Sequence, residues 1–133
     1  MSDGSWELQQ AVFAVLNGLS PPLATHGVHA PAPENIKLDY VEIGASDAVV
    51  ADVQCRQGLD ETLTIHVWTK PDSNQLAKQI VSRIREALHA QNLTVSGRAS
   101  AFAIVESSRV FPDGDGKSLH GVVALRVIHH ATI

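Results

Sequence analysis

The feature that most constrains this chain is the strict alternation from Thr62 to Trp68. Leu63, Ile65 and Val67 share one parity, while Thr62, Thr64, His66 and Trp68 share the other. A period of two over seven residues describes a strand with one apolar face and one mixed face. Just beyond it, Pro71 and an Asp72/Gln75 pair read as a helix start of the capping-box kind. Leu76, Ile80, Ile84 and Leu88 then step by four, flanked by Ala77, Val81 and Ala87, with Lys78, Arg83, Arg85 and Glu86 on the wetter side. Such a helix has one apolar stripe, and the face of the preceding strand is the natural surface to receive it.

The remaining segments fill in a sheet. Ser5 is placed to cap a first helix through Leu8, Val12, Val15, Leu16 and Leu19, ended by Asn17-Gly18 and Pro21-Pro22. From Ser20 to Asn35 the chain holds four of its six prolines and has no helical period, so it reads as an extended surface connection. Tyr40 to Gly44 reads as a short strand. Ala51, Val53 and Cys55 alternate with Asp52, Gln54 and Arg56, which predicts a second arm paired to Thr62–Trp68 across a turn at Gln57 to Asp60. Ala101 to Phe111 and Leu119 to His130 form a further hairpin around Asp113-Gly114-Asp115-Gly116. The expected class is α+β: an antiparallel β-sheet with a long hairpin, packed against two α-helices.

Size and composition bound the function. The 133 residues, 44% hydrophobic and 18% charged, suit one ordered domain over 1–133, with flexible ends expected at 1–4 and 131–133. A net charge of −4 argues against a dedicated nucleic-acid binder. The N-terminal stretch lacks a basic start and a continuous apolar run, and no segment reaches the length of a membrane span, so cytoplasmic synthesis and no membrane partner are expected. One cysteine, Cys55, excludes an internal disulfide framework and any multi-cysteine zinc site.

Catalytic arrangements are sparse. The seven histidines offer no complete ligand set: His129 and His130 are neighbours on a strand and point to opposite faces, and His26 and His29 lie in the proline-rich connection. Asp113 to Gly116 has turn chemistry and lacks the further ligands of a calcium loop. Cys55 and His66 can be imagined as a thiol–imidazole pair, but the alternation puts Cys55 on a core face. A small hydrolase using His66 with Cys55 or His120 is thus the weaker reading, and no cofactor or metal is expected. Charge is more telling. Between Glu34 and Glu61 lie seven acids against Lys37 and Arg56. Asp39, Glu42, Asp47, Asp52, Asp60 and Glu61 are the candidates for a partner surface or a lumen, with Trp68 as a candidate contact on the mixed sheet face.

The succession Tyr40-Val41-Glu42-Ile43-Gly44, the strand Leu63-Thr64-Ile65-His66-Val67-Trp68, the helix end Ala87-Leu88-His89 and the late run Gly116-Lys117-Ser118-Leu119-His120-Gly121-Val122-Val123 resemble a known family. They are similar to the tail-completion, or tail-terminator, proteins of long-tailed phages and gene transfer agents. The similarity runs from the first helix to about Val127; Ile36-Lys37-Leu38-Asp39 stands where relatives often carry a second proline cluster. The resemblance implies a non-catalytic virion protein in a homo-oligomeric ring, typically a hexamer. Such a ring caps the tail tube and joins it to the head connector or stopper, and DNA passes through it without specific binding. A stopper or adaptor of the same neck is the neighbouring alternative. The ring would be assembled in the bacterial cytoplasm and end in the particle's tail or neck.

Overall fold

The computed structural model describes residues 3–132. The chain runs α1 (Ser5–Asn17), β1 (Val28–His29), β2 (Tyr40–Val50), β3 (Gly58–Thr69), α2 (Asn74–Leu88), β4 (Gln91–Asn92), β5 (Arg98–Pro112) and β6 (Leu119–Ala131). One six-stranded sheet has the order β1-β2-β3-β6-β5-β4 and is antiparallel except for the short β1–β2 pairing. The class is α+β, as the alternation implied.

The parity of β3 decides which side of the sheet is dry. Leu63, Ile65 and Val67 are buried, and across the ladder Val123, Leu125 and Val127 of β6 and Ala101, Ala103 and Val105 of β5 join them. α2 lies over β3, β6 and β5 and buries Ala77, Ile80, Val81, Ile84 and Leu88 there. α1 adds Leu8, Val12 and Leu16 to the same cluster. Both helices therefore cover one face of the sheet. Gly121 makes the approach of α2 possible: a Cβ there would come 3.1 Å from Val67 Cβ and 3.2 Å from Val81 Cγ2.

Five local expectations are corrected. The stretch 51–56 is not a strand arm: β2 runs on to Val50, and the chain reverses in a tight turn where Val53 and Arg56 exchange backbone hydrogen bonds. The alternation there lies in a loop, so Cys55 is exposed at a φ of 32° instead of packing in the core. Ser5 is the first residue of α1, and Gly4 at a φ of 89° takes the cap position. Ser73, not Asp72, precedes α2, and Leu76 is 37% exposed rather than part of the buried stripe.

At the chain ends, Met1, Ser2 and Ile133 lie outside the described residues. Asp3 accepts the Ser5 N–H through Oδ1 at 3.0 Å, and Ala131 pairs with Arg98.

Candidate functional site

With both helices on one side, the opposite face of the sheet has no helix over it among the described residues. Cross-strand register assembles it from Tyr40 and Glu42 of β2, Thr64, His66 and Trp68 of β3, His120, Val122, Ala124 and Arg126 of β6, and Arg109 and Phe111 of β5. These are the even-parity positions of β3, which the sequence marked as the mixed face.

One end of this face is a stack of rings. His120 lies on Trp68 with centroids 3.8 Å apart and planes 8° from parallel. Tyr40 stacks on the other flank of Trp68 at 6.5 Å, and Phe111 tilts against His120 at 5.1 Å. The Arg109 guanidinium sits 4.9 Å from the Phe111 centroid. His66 Nδ1 and His120 Nε2 are 2.7 Å apart and share a hydrogen bond. Two imidazoles bonded nitrogen to nitrogen can hold one proton between them but not two. Burial, followed by the electrostatic influence of His66, lowers the His120 pKa below the usual imidazole value, with Asp113 pulling the other way. The His66 ring lies over β2 because position 44 is glycine: a Cβ there would meet His66 Nε2 at 2.7 Å. Trp68 Nε1 is buried without a hydrogen-bond partner among the described residues. An orphaned buried indole N–H is a costly feature.

The acids expected at a partner surface separate into distinct roles. Glu61 is completely buried, which corrects the expectation that it faces a lumen or rim. Its Oε1 meets His129 Nε2 at 3.0 Å, and Oε2 accepts from Ser5 Oγ at 2.6 Å. Arg98 Nε donates to His129 Nδ1 at 2.9 Å, which leaves the His129 proton on Nε2, pointing at Glu61. Burial raises the Glu61 pKa, but the hydrogen bonds from His129, Ser5 and Ser46 outweigh it and hold the carboxyl below its usual range. Asp39 is also buried, accepting from the Thr25 N–H at 2.9 Å. Asp60 forms a two-pronged pair with Arg126 at 2.8 and 2.6 Å. Glu42 accepts from the Ala32 N–H, and Asp52 from the Gly58 N–H. Asp47 and Asp52 are the exposed members, near the far end of β2 and in the loop that follows.

The candidate pairs resolve in the same way. Cys55 lies beyond Leu59, and His66 is seven residues further along β3, roughly 20 Å at strand spacing. No thiol–imidazole pair forms, whereas His66 and His120 do meet. Among the described residues no three His, Cys, Asp or Glu side chains converge as a metal site. Asp113 to Gly116 is a tight turn, with Asp113 N bonded to Ser118 O and Lys117 N to Asp115 Oδ1.

Two groups escaped the sequence reading. The rings around Trp68 come from β2, β5 and β6, and only register brings them together. The Glu61–His129 network carried a usable signal, because Glu61 has the parity of Leu63 and Ile65.

Comparisons with known proteins bear on this geometry. The family model described as tail completion protein gp17 matches residues 8–130. None of the curated proteins matches the chain. A solved structure described as the virion of a native gene transfer agent (GTA) particle contains a chain of similar fold. It matches with a TM-score of 0.81 and 19% sequence identity, covering 96% of this chain and 98% of that one.

Proposed function

Because this chain belongs to the tail completion protein gp17 family, we propose that it is a structural subunit of a phage-like particle. In this reading copies of the chain form a closed ring, typically a hexamer, that terminates the tail tube and joins it to the head connector or stopper. It works without catalysis or cofactor, and DNA passes through it without specific binding. Its place is the tail or neck of the particle, after assembly in the bacterial cytoplasm.

The observation that carries the reading is the uncovered sheet face. Trp68, Phe111 and Val122 are only half-buried on a face without a helix, and a neighbouring subunit would cover what a lone subunit leaves in water. The fold likeness to a chain of a gene transfer agent virion agrees with this reading.

The test is deletion of the gene, with complementation. Headless tails of abnormal length, restored to full particles by the wild-type gene, are expected; normal particles from the deletion strain overturn the proposal. An Ala124→Arg variant, altered in the middle of the uncovered face, should fold with an unchanged circular dichroism spectrum yet fail to complement.

A further inference from the structure

The two long edges of the sheet are incompletely paired and differ in charge. β1 covers β2 only at Val41 and Glu42, so among the described residues Gly44 to Val50 has no strand on its outer side. At the opposite edge β4 covers β5 only at Phe102 and Ala103. His89 Nδ1 takes the Val105 N–H at 3.0 Å, and from Glu106 to Pro112 no further strand lies alongside among the described residues. A bare strand edge is a template for another chain unless it is blocked.

What lies along each edge is complementary to the other. The β2 side ends in a hairpin tip whose exposed charges are acidic: Asp47 and Asp52 are exposed, with Val49, Val50 and Val53 at 69%, 71% and 50% exposure, while Arg56, half-buried, is the one cation of the turn. On the β5 side a groove of about 380 Å3 runs between α2 and β5, lined by Lys78, Val81, Arg85, Ser108, Arg109 and Val110. Its charged residues are all cations, and Val81 and Val110 give it an apolar floor. Arg85 is steadied by a hydrogen bond to Ser108 Oγ, whereas the Arg109 guanidinium stacks on Phe111 at the open face, so Lys78 and Arg85 are the groove's cations on the helix side. A guanidinium has five donors, so these contacts leave others for a carboxylate.

We propose that the Asp47–Val53 hairpin of one copy of this chain seats in the α2–β5 groove of the next copy. The proposal rests on the ring reading above and names the contact that closes it. Tip and groove sit at opposite edges of one sheet, so each copy offers one of each. Contact between two unlike patches is heterologous and generates a ring when the rotation closes. A two-fold pairing of like edges would set cations against cations in the groove, or acids against acids at the tip.

The exposed Cys55, in the hairpin loop and the only cysteine of the chain, is a built-in reporter. In a Lys78→Cys variant, a short bis-maleimide should link Cys55 of one copy to position 78 of the next. The expected result is a ladder of dimers and higher species on denaturing gels, absent when Cys55→Ser is added and absent from the wild type. Native mass spectrometry of the uncrosslinked protein separates the two levels of the argument. An oligomer that gives no ladder overturns this contact and leaves the ring standing; a chain that stays monomeric and gives no ladder overturns both. Charge exchange is the second arm. Asp47→Lys alone and Lys78→Glu alone should each reduce the oligomer, and the chain carrying both should regain it. Failure of the double variant to exceed the single ones overturns the pairing. Binding of a phosphate-rich duplex DNA in the groove, lost with Lys78→Glu while the oligomer is unaffected, likewise overturns it.

Discussion

Glu61 shows how one residue can look like surface in a sequence and be core in the fold. Its carboxylate is buried yet satisfied by His129, Ser5 and Ser46, and the Arg98–His129 contact completes a network spanning α1, β2, β3, β5 and β6. Because its pKa is lowered on folding, the stability it contributes is fully present above the ordinary carboxylate range. That contribution is lost as pH falls through this range toward its own depressed value. Glu61→Gln should therefore cost about 1–3 kcal/mol near neutral pH and flatten the acid limb of stability, read by urea unfolding across pH. His120 is a second residue with a legible sign. Its pKa is lowered by burial and by His66, so charging it on acidification opposes the stacked arrangement. Removing the His66 imidazole with His66→Ala should move the His120 titration upward, toward the ordinary imidazole value, when followed by NMR of the ring protons. An unchanged or lowered midpoint contradicts the pairing.

At the scale of elements, the sheet–helix contact was the most readable part of the chain. The β3 alternation and the α2 stripe both follow from local periodicity, and each names the face it buries. Ile84, fully buried on the sheet-facing side of α2, should cost about 2–5 kcal/mol on replacement by alanine. Gly121→Ala tests the same contact from below: the added methyl presses on Val67 and Val81, and overpacking of this kind costs about 1–3 kcal/mol. Both are measured by chemical unfolding, and a loss under about 0.5 kcal/mol at either position contradicts the packing described. The hairpin was less readable for a physical reason. Period-two alternation at 51–56 is a weak signal over six residues, and the tight turn at Val53 to Arg56 satisfies the same backbone locally. The ring stack around Trp68 was unreadable beyond Trp68 and His66, because Tyr40, Phe111 and His120 meet only through strand pairings across long sequence separations.

For the whole molecule, the distribution of charge matters more than its net value of −4. Of the acids between Glu34 and Glu61, Asp39 and Glu61 are spent inside the subunit and Asp60 is held by Arg126. Asp47 and Asp52 remain exposed near the hairpin tip, while Lys78, Arg85 and Arg109 gather at the opposite edge of the sheet. Two placements of the tip in a ring make different predictions. If it lines the channel, reversing its sign introduces cations where DNA passes, and clustered cations bind phosphate. If it seats against the next subunit, the same reversal opposes the cations of the groove. A single exposed charge is screened within about 8 Å at physiological ionic strength, so the informative change is the double replacement Asp47→Lys with Asp52→Lys. Head joining and DNA ejection are then scored separately, by counting full particles and by timing DNA release. The expected outcome is a loss of joined particles, relieved by adding Lys78→Glu and Arg85→Glu, with ejection from the particles that do form at the wild-type rate. Normally joined particles with slowed ejection would instead put the tip in the channel.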